Sequence, residues 1–202
     1  NKKDKFVVNR LANQKTEVKI IRLKKSGEEE IFAKTYDKNN TKEIWLYGLD
    51  DDDIFQIEGE DNGIKLRLLG GQNHDQYQLN KNAKNINIYD YKTNNNSISK
   101  SKANVTLTDD YEINQYQYTR PKYNIFNTEI NLDYNPDDEI KIGLTSSLTI
   151  NNFKQNPFSS KHVLTANYFT GSNGYEFSYK SVLPRLVGNW YYQIDARLTS
   201  SL

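Results

Sequence analysis

The residues with the most chemical potential in this chain are carboxylates set in turns. Asp50, Asp51, Asp52 and Asp53 stand side by side in IWLYGLDDDDIFQIEG, Ile44 to Gly59. Like charges this close repel, so the run calls for neutralisation or full solvation. A second polar turn, GGQNHDQYQ from Gly70 to Gln78, has the form of the calcium-binding nonapeptide GGxGxDxUx. In that motif glycines make the tight turn, while carboxylates and backbone carbonyls supply the oxygen ligands that Ca²⁺ prefers. Asn73 stands at the third glycine position, where Asn tolerates the left-handed conformation. GLDDDDIFQ, Gly48 to Gln56, fits more loosely, with Asp51 at that position. If Ca²⁺ binds, Asp51, Asp53 and Asp75 are the expected ligands. The competing expectation is a solvated acidic turn next to Lys and Arg.

Other chemistry is poorly supplied. His74 and His162 lie in different regions, and no H-x-E, D-x-H or H-E-x-x-H spacing occurs. A dinuclear phosphoesterase centre needs several His and Asp ligands plus Asn, which this chain does not group together. There is no cysteine nucleophile, no G-x-S-x-G elbow and no P-loop. His74 reads as a turn residue. TDDYE, Thr108 to Glu112, precedes a tyrosine-rich connector rather than a helix. No catalytic residues are expected, and the chain itself is read as non-enzymatic.

The elements that carry the acidic turns repeat. KEIWLYGLDDDDIFQI (Lys42 to Ile57) aligns with IKLRLLGGQNHDQYQL (Ile64 to Leu79), placing Ile44 on Leu66, Leu46 on Leu68, Asp53 on Asp75, Phe55 on Tyr77 and Ile57 on Leu79. A fainter copy lies upstream, Lys19 to Phe32, and a degraded one at Asn85 to Ile98. Each unit reads as an alternating strand, a polar turn and a second alternating strand. Stacked, such units make a β-solenoid or compact sandwich. Its inward residues would be Ile21, Leu23, Ile44, Leu46, Phe55, Ile57, Leu66, Leu68, Tyr77, Leu79, Ile86 and Ile88.

The composition fits an all-β chain, with few apolar residues and many tyrosines. A net charge of +1 gives no reason to expect nucleic acid as a partner. Cysteine is absent, which excludes disulfides and thiolate chemistry. The opening residues lack the apolar core of a signal peptide, and no stretch approaches the ~20 apolar residues of a membrane helix. With no Met in the sequence, the chain reads as an internal piece of a longer protein.

From Asn127 the pattern changes to hairpins of strands roughly ten residues long, the length that crosses an outer membrane as a tilted strand. Turns are expected at Asn135 to Asp138 and Thr170 to Gly174. One face carries Ile140, Ile142, Leu144, Leu148, Tyr175, Phe177, Tyr179, Ile194 and Leu198, and the other is polar. A soluble sheet with one wet face shows the same alternation. Leu107 to Asn124 reads as the linker between the two halves.

Several stretches resemble a known family. KFVVNRLANQ, TKEIWLYGLDDDDIFQIEG, IKLRLLGGQNHDQYQL, YDYK, LTDDYEINQYQY and YNPDDEIKIGL are similar to the region that follows the calcineurin-like metallophosphoesterase domain in large outer-membrane proteins of Bacteroidota. Those proteins end in a surface-antigen (D15, Omp85/BamA-like) barrel. The resemblance implies a β-rich connector domain over residues 1–120, periplasmic, and the first strands of a transmembrane β-barrel over 121–202. It implies an outer-membrane location, with outer-membrane lipid, the rest of the parent chain and envelope-assembly proteins as partners. The implied role is envelope assembly or lipid and protein handling. Any phosphoesterase ligands and catalytic metals would lie outside this chain. The alternative is a soluble or surface calcium-binding β-solenoid that serves as an adhesion module.

Overall fold

The computed structural model describes residues 2–61, 63–119, 123–136 and 139–200. The chain divides into two compact units, Asn1–Tyr116 and Gln117–Leu202.

Unit 1 begins with a meander. β1 (Asp4–Arg10), β2 (Lys15–Lys24) and β3 (Gly27–Asp37) pair antiparallel, the last two through a two-residue loop at Lys25 and Ser26. The chain then alternates between two sheets. β4 (Glu43–Leu49), β6 (Lys65–Gly71), β8 (Ile86–Asp90) and β10 (Asn104–Leu107) form an all-parallel sheet in the order β10-β8-β6-β4. β5 (Ile54–Glu58), β7 (Gln76–Leu79) and β9 (Ser97–Ile98) run parallel to β1 and complete a mixed six-stranded sheet, β3-β2-β1-β5-β7-β9. Residues aligned in the sequence lie side by side, Ile44 against Leu66 and Phe55 against Tyr77.

The apolar parity of both sheets points to a shared core. Val8, Phe55, Ile57, Leu66, Leu68, Tyr77, Ile86 and Ile88 are all but inaccessible. The Phe6, Phe55 and Tyr77 rings stack in a column, with centroids 4.7 and 5.0 Å apart. Same-face neighbours on adjacent strands stabilise a sheet in this way.

The expected solenoid is not what forms. Half of the mixed sheet is an antiparallel meander, and only the middle of unit 1 follows the parallel repeat. The faint copy at Lys19 to Phe32 is the β2–β3 hairpin; β2 alternates without a break against β1, with Thr16, Val18 and Ile20 opposite Arg10, Val8 and Phe6, and the β2–β3 bulge leaves Ile31 of β3 unpaired. Ile21 and Leu23 are therefore only half-buried, while Thr16 and Val18 take the inward positions. The degraded copy at Asn85 to Ile98 forms β8 and a second strand, β9, of only two residues. The Leu107 to Asn124 segment holds a one-turn helix, α1 (Tyr111–Asn114), where a connector without helix is expected. Asp110 caps it by accepting the Glu112 N–H, and Asn114 Nδ2 donates to Thr108 O at 2.6 Å.

Unit 2 is one antiparallel sheet of β11 (Ile125–Asn135), β12 (Glu139–Ile150), β13 (Ser160–Phe169), β14 (Gly174–Pro184) and β15 (Tyr191–Thr199), in sequence order. Among the described residues it is an open sheet. β11 and β15 run in the same direction and do not pair among the described residues. The Asn135 to Asp138 turn lies partly outside the described residues.

Candidate functional site

The acidic turns meet at one end of unit 1, where adjacent parallel strands leave the two sheets. The Asp4 N–H donates to Asp53 Oδ1 at 2.7 Å, the Asp53 N–H to Asp75 Oδ1 at 2.8 Å, and the Asp75 N–H to Asn96 Oδ1 at 2.8 Å. Each side chain in this ladder caps the strand beside it. A parallel ladder is the reason these residues coincide, because the constant offset sets Asp75 next to Asp53. Asp52 and His74 join on the outside: the His74 N–H donates to Asp52 Oδ1 at 3.1 Å, and His74 Nδ1 accepts from the Asn95 N–H at 3.2 Å.

Asp53 and Asp75 are 1% and 0% exposed, yet the Oδ2 of each has no partner. Asp90, also 0% exposed, extends the group from β8. Its Oδ2 accepts the Tyr77 hydroxyl at 2.6 Å and its Oδ1 the Tyr91 N–H at 2.7 Å. Two glycines make room. A Cβ on Gly70 would fall on Asp75 Oδ2, Tyr77 OH and Asp90 Oδ2, and one on Gly48 would fall on Asp53 Oδ2 and the Gly70 carbonyl oxygen.

Burial sets the proton affinities. It pushes the Asp53 carboxyl up to about 7, with the Asp4 and Asp51 charges adding to it against the Asp4 N–H and Lys3. It pushes Asp75 up to about 8, aided by Asp90, Asp53 and Asp52 against the Asp53 N–H. Asp90 is raised by burial too, opposed by its bonds to Tyr77, Tyr91 and Asn96. Burial and the surrounding carboxylates hold the Tyr77 hydroxyl well above the usual phenol range.

Of the expected calcium ligands, the structure brings together Asp53 and Asp75. Asp51 is half-buried in the left-handed region, φ 75°, as is Asn73 at φ 76°. Among the described residues no three Asp, Glu or His side chains converge as a metal ligand set. Sequence reasoning placed Tyr77 inward, but missed Asp90 and the bond that the Tyr77 hydroxyl donates to it. The available signal was register: Tyr89 pairs with Leu69, which puts Asp90 beside Gly70.

A second feature lies in unit 2. Cross-strand register collects one parity of all five strands on one face. Its middle row is Ile130, Leu144, Ala166, Phe177 and Leu198. Next to it run Leu132, Ile142, Tyr168 and Tyr175, and farther along Phe126, Leu148, His162, Ser181 and Ile194. The large apolar side chains of this face are 37–75% exposed. The opposite face is polar and cross-linked. Asn131 Nδ2 donates to Thr145 Oγ1 at 2.9 Å, Asn167 Nδ2 to Glu176 Oε1 at 3.1 Å, and Arg197 pairs with Glu176. Polar groups on the apolar side bond to one another: His162 to the Tyr179 and Ser160 hydroxyls at 2.8 and 3.0 Å, and the Thr128 and Ser146 hydroxyls to each other at 3.2 Å.

Comparison with family models, with curated proteins and with solved structures finds no match.

Proposed function

We propose that this chain is a non-catalytic part of an outer-membrane protein, held in lipid by the apolar face of unit 2, with unit 1 as its periplasmic connecting domain. One observation carries this reading: a five-stranded sheet whose one face is predominantly apolar and exposed, while the other is polar and internally bonded. Half-exposed side chains of this size add up to on the order of 1,000 Å², more than the few hundred that a soluble monomer leaves open. The strands have 9 to 12 residues. At ~3.3 Å per residue and a tilt near 45°, the longest spans roughly 28 Å, matching a ~25 Å apolar band. Tyr134, Tyr168 and Tyr175 lie towards one end of the face and Phe126 and Tyr192 towards the other, with Phe177 and Tyr179 between them. The two ends are where membrane strands place aromatics.

The family resemblance supplies the wider role: envelope assembly or lipid and protein handling, with envelope-assembly proteins as partners and a metallophosphoesterase as the parent chain. The test is dilution of the whole protein from urea into buffer with or without phospholipid vesicles. Unit 2 folds only with vesicles and floats with them in a density gradient. A folded monomer that stays in the aqueous phase overturns the proposal.

A further inference from the structure

Unit 1 buries three carboxyl groups, Asp53, Asp75 and Asp90, around Gly48 and Gly70. The facing groups are known from every side. Asp4, Asp51 and Lys3 act on Asp53; Asp52, Asp53 and Asp90 act on Asp75; the Tyr77 hydroxyl and the Tyr91 N–H bond to Asp90. Among the described residues, Lys3 is the positive charge that acts on Asp53, and the charges that act on Asp75 are those of carboxylates. Ionised together, these carboxylates would repel one another in a medium that screens poorly.

Two unpartnered oxygens show how the conflict is resolved. Asp53 Oδ2 and the Gly70 carbonyl oxygen line the same space, the one that a Gly48 side chain would fill. Asp75 Oδ2 and Asp90 Oδ2 line the space that a Gly70 side chain would fill. Each pair joins an orphaned carboxyl oxygen to an acceptor, and a proton between them makes a hydrogen bond of each. We infer that Asp53 holds a proton on Oδ2 and that Asp75 and Asp90 share another, so that unit 1 folds with two protons bound.

Carboxyls that are more basic folded than unfolded favour the native state in acid. The native state then holds protons the unfolded chain has released, so stability falls as pH rises above the ordinary carboxylate range. The fall is complete once pH passes the folded values of about 7 and about 8. With both protons released on unfolding, the unfolding constant rises about a hundredfold per pH unit between roughly pH 5 and 7.

The experiment is infrared spectroscopy of the whole protein at pH 6, together with thermal unfolding of unit 1 from pH 5 to 9. Unfolding is followed by Trp45 emission in a Trp190→Phe background. The expected result is a protonated-carboxyl C=O band at pH 6, when ordinary carboxylates are ionised. The midpoint falls as pH rises, and Asp53→Asn or Asp75→Asn flattens that fall. Absence of the band at pH 6 overturns the inference, even if neither variant folds. A midpoint that stays constant from pH 5 to 9, or a protonated-carboxyl band at pH 6 that survives intact in both variants, also overturns it.

Discussion

Leu144→Arg separates a lipid-facing sheet from a water-facing one by the sign of its effect. Leu144 sits mid-strand in β12, between Ile130 and Ala166 in the central apolar row, and is 47% exposed. On a soluble sheet, an arginine at such a half-exposed site changes stability by no more than about 0.5 kcal/mol and improves solubility. In a bilayer the same position lies near the midplane, where arginine on the lipid face of a strand costs about 2–4 kcal/mol. Ser147, between Asn127 and Val163 on the polar face, is the matched control. Ser147→Arg avoids lipid and should cost less than about 1 kcal/mol. The assay is urea unfolding of each variant in phospholipid vesicles, with midpoints converted through the shared slope. Equal midpoints for Leu144→Arg and Ser147→Arg would refute the lipid-facing assignment.

Three further perturbations address unit 1. Arg10 is 5% exposed, and its guanidinium donates to the carbonyls of Lys84, Ile64 and Asn85 at 2.6, 3.1 and 3.3 Å. Arg10→Ala should destabilise unit 1 by about 3–5 kcal/mol in thermal unfolding, and Arg10→Lys by less, because one ammonium cannot span three carbonyls. Gly70→Ala drives a methyl group into Asp75, Tyr77 and Asp90; a loss of at least about 1–3 kcal/mol is expected, and an unchanged midpoint would contradict the packing described. Tyr77→Phe removes the donor to Asp90 Oδ2, and the midpoint should drop by about 1–3 kcal/mol equivalent at neutral pH.

Much of unit 1's middle was legible because two signals agree there. Alternation of Ile44 with Leu46 and of Phe55 with Ile57 fixes which side faces inward, and the repeat offset fixes the neighbours. Parallel pairing at constant offset also made the Asp53–Asp75 adjacency readable. Its chemistry was not, because a GGxGxDxUx turn looks the same whether its carboxylates turn outward to a cation or inward to the next strand's N–H. The meander escaped notice for a similar reason. Alternation in Lys15 to Asp37 is equally compatible with a crossing unit or a hairpin, and both parities of β2 carry apolar residues, Val18 and Ile20 on one side and Ile21 and Leu23 on the other, so pairing with β1 decides which side faces inward.

The glycines tie these points together. Gly48 and Gly70 read in the sequence as turn formers beside a ligand loop. In the fold they are the places where a missing Cβ lets buried carboxyls approach a backbone carbonyl or one another. A turn requirement would leave the space beside the glycine open to solvent, whereas here carboxyl oxygens fill it. Selection for glycine at these positions therefore follows from the acids as much as from the backbone. Unit 2 carries the opposite lesson. Its strands alternate as cleanly as any in unit 1, but Ile130 and Leu132 remain 75% and 72% exposed while Leu66 and Leu68 are sealed. Periodicity names the apolar face without naming what covers it. In unit 1 the second sheet covers it; in unit 2 no second layer among the described residues does, and lipid is the cover proposed for it.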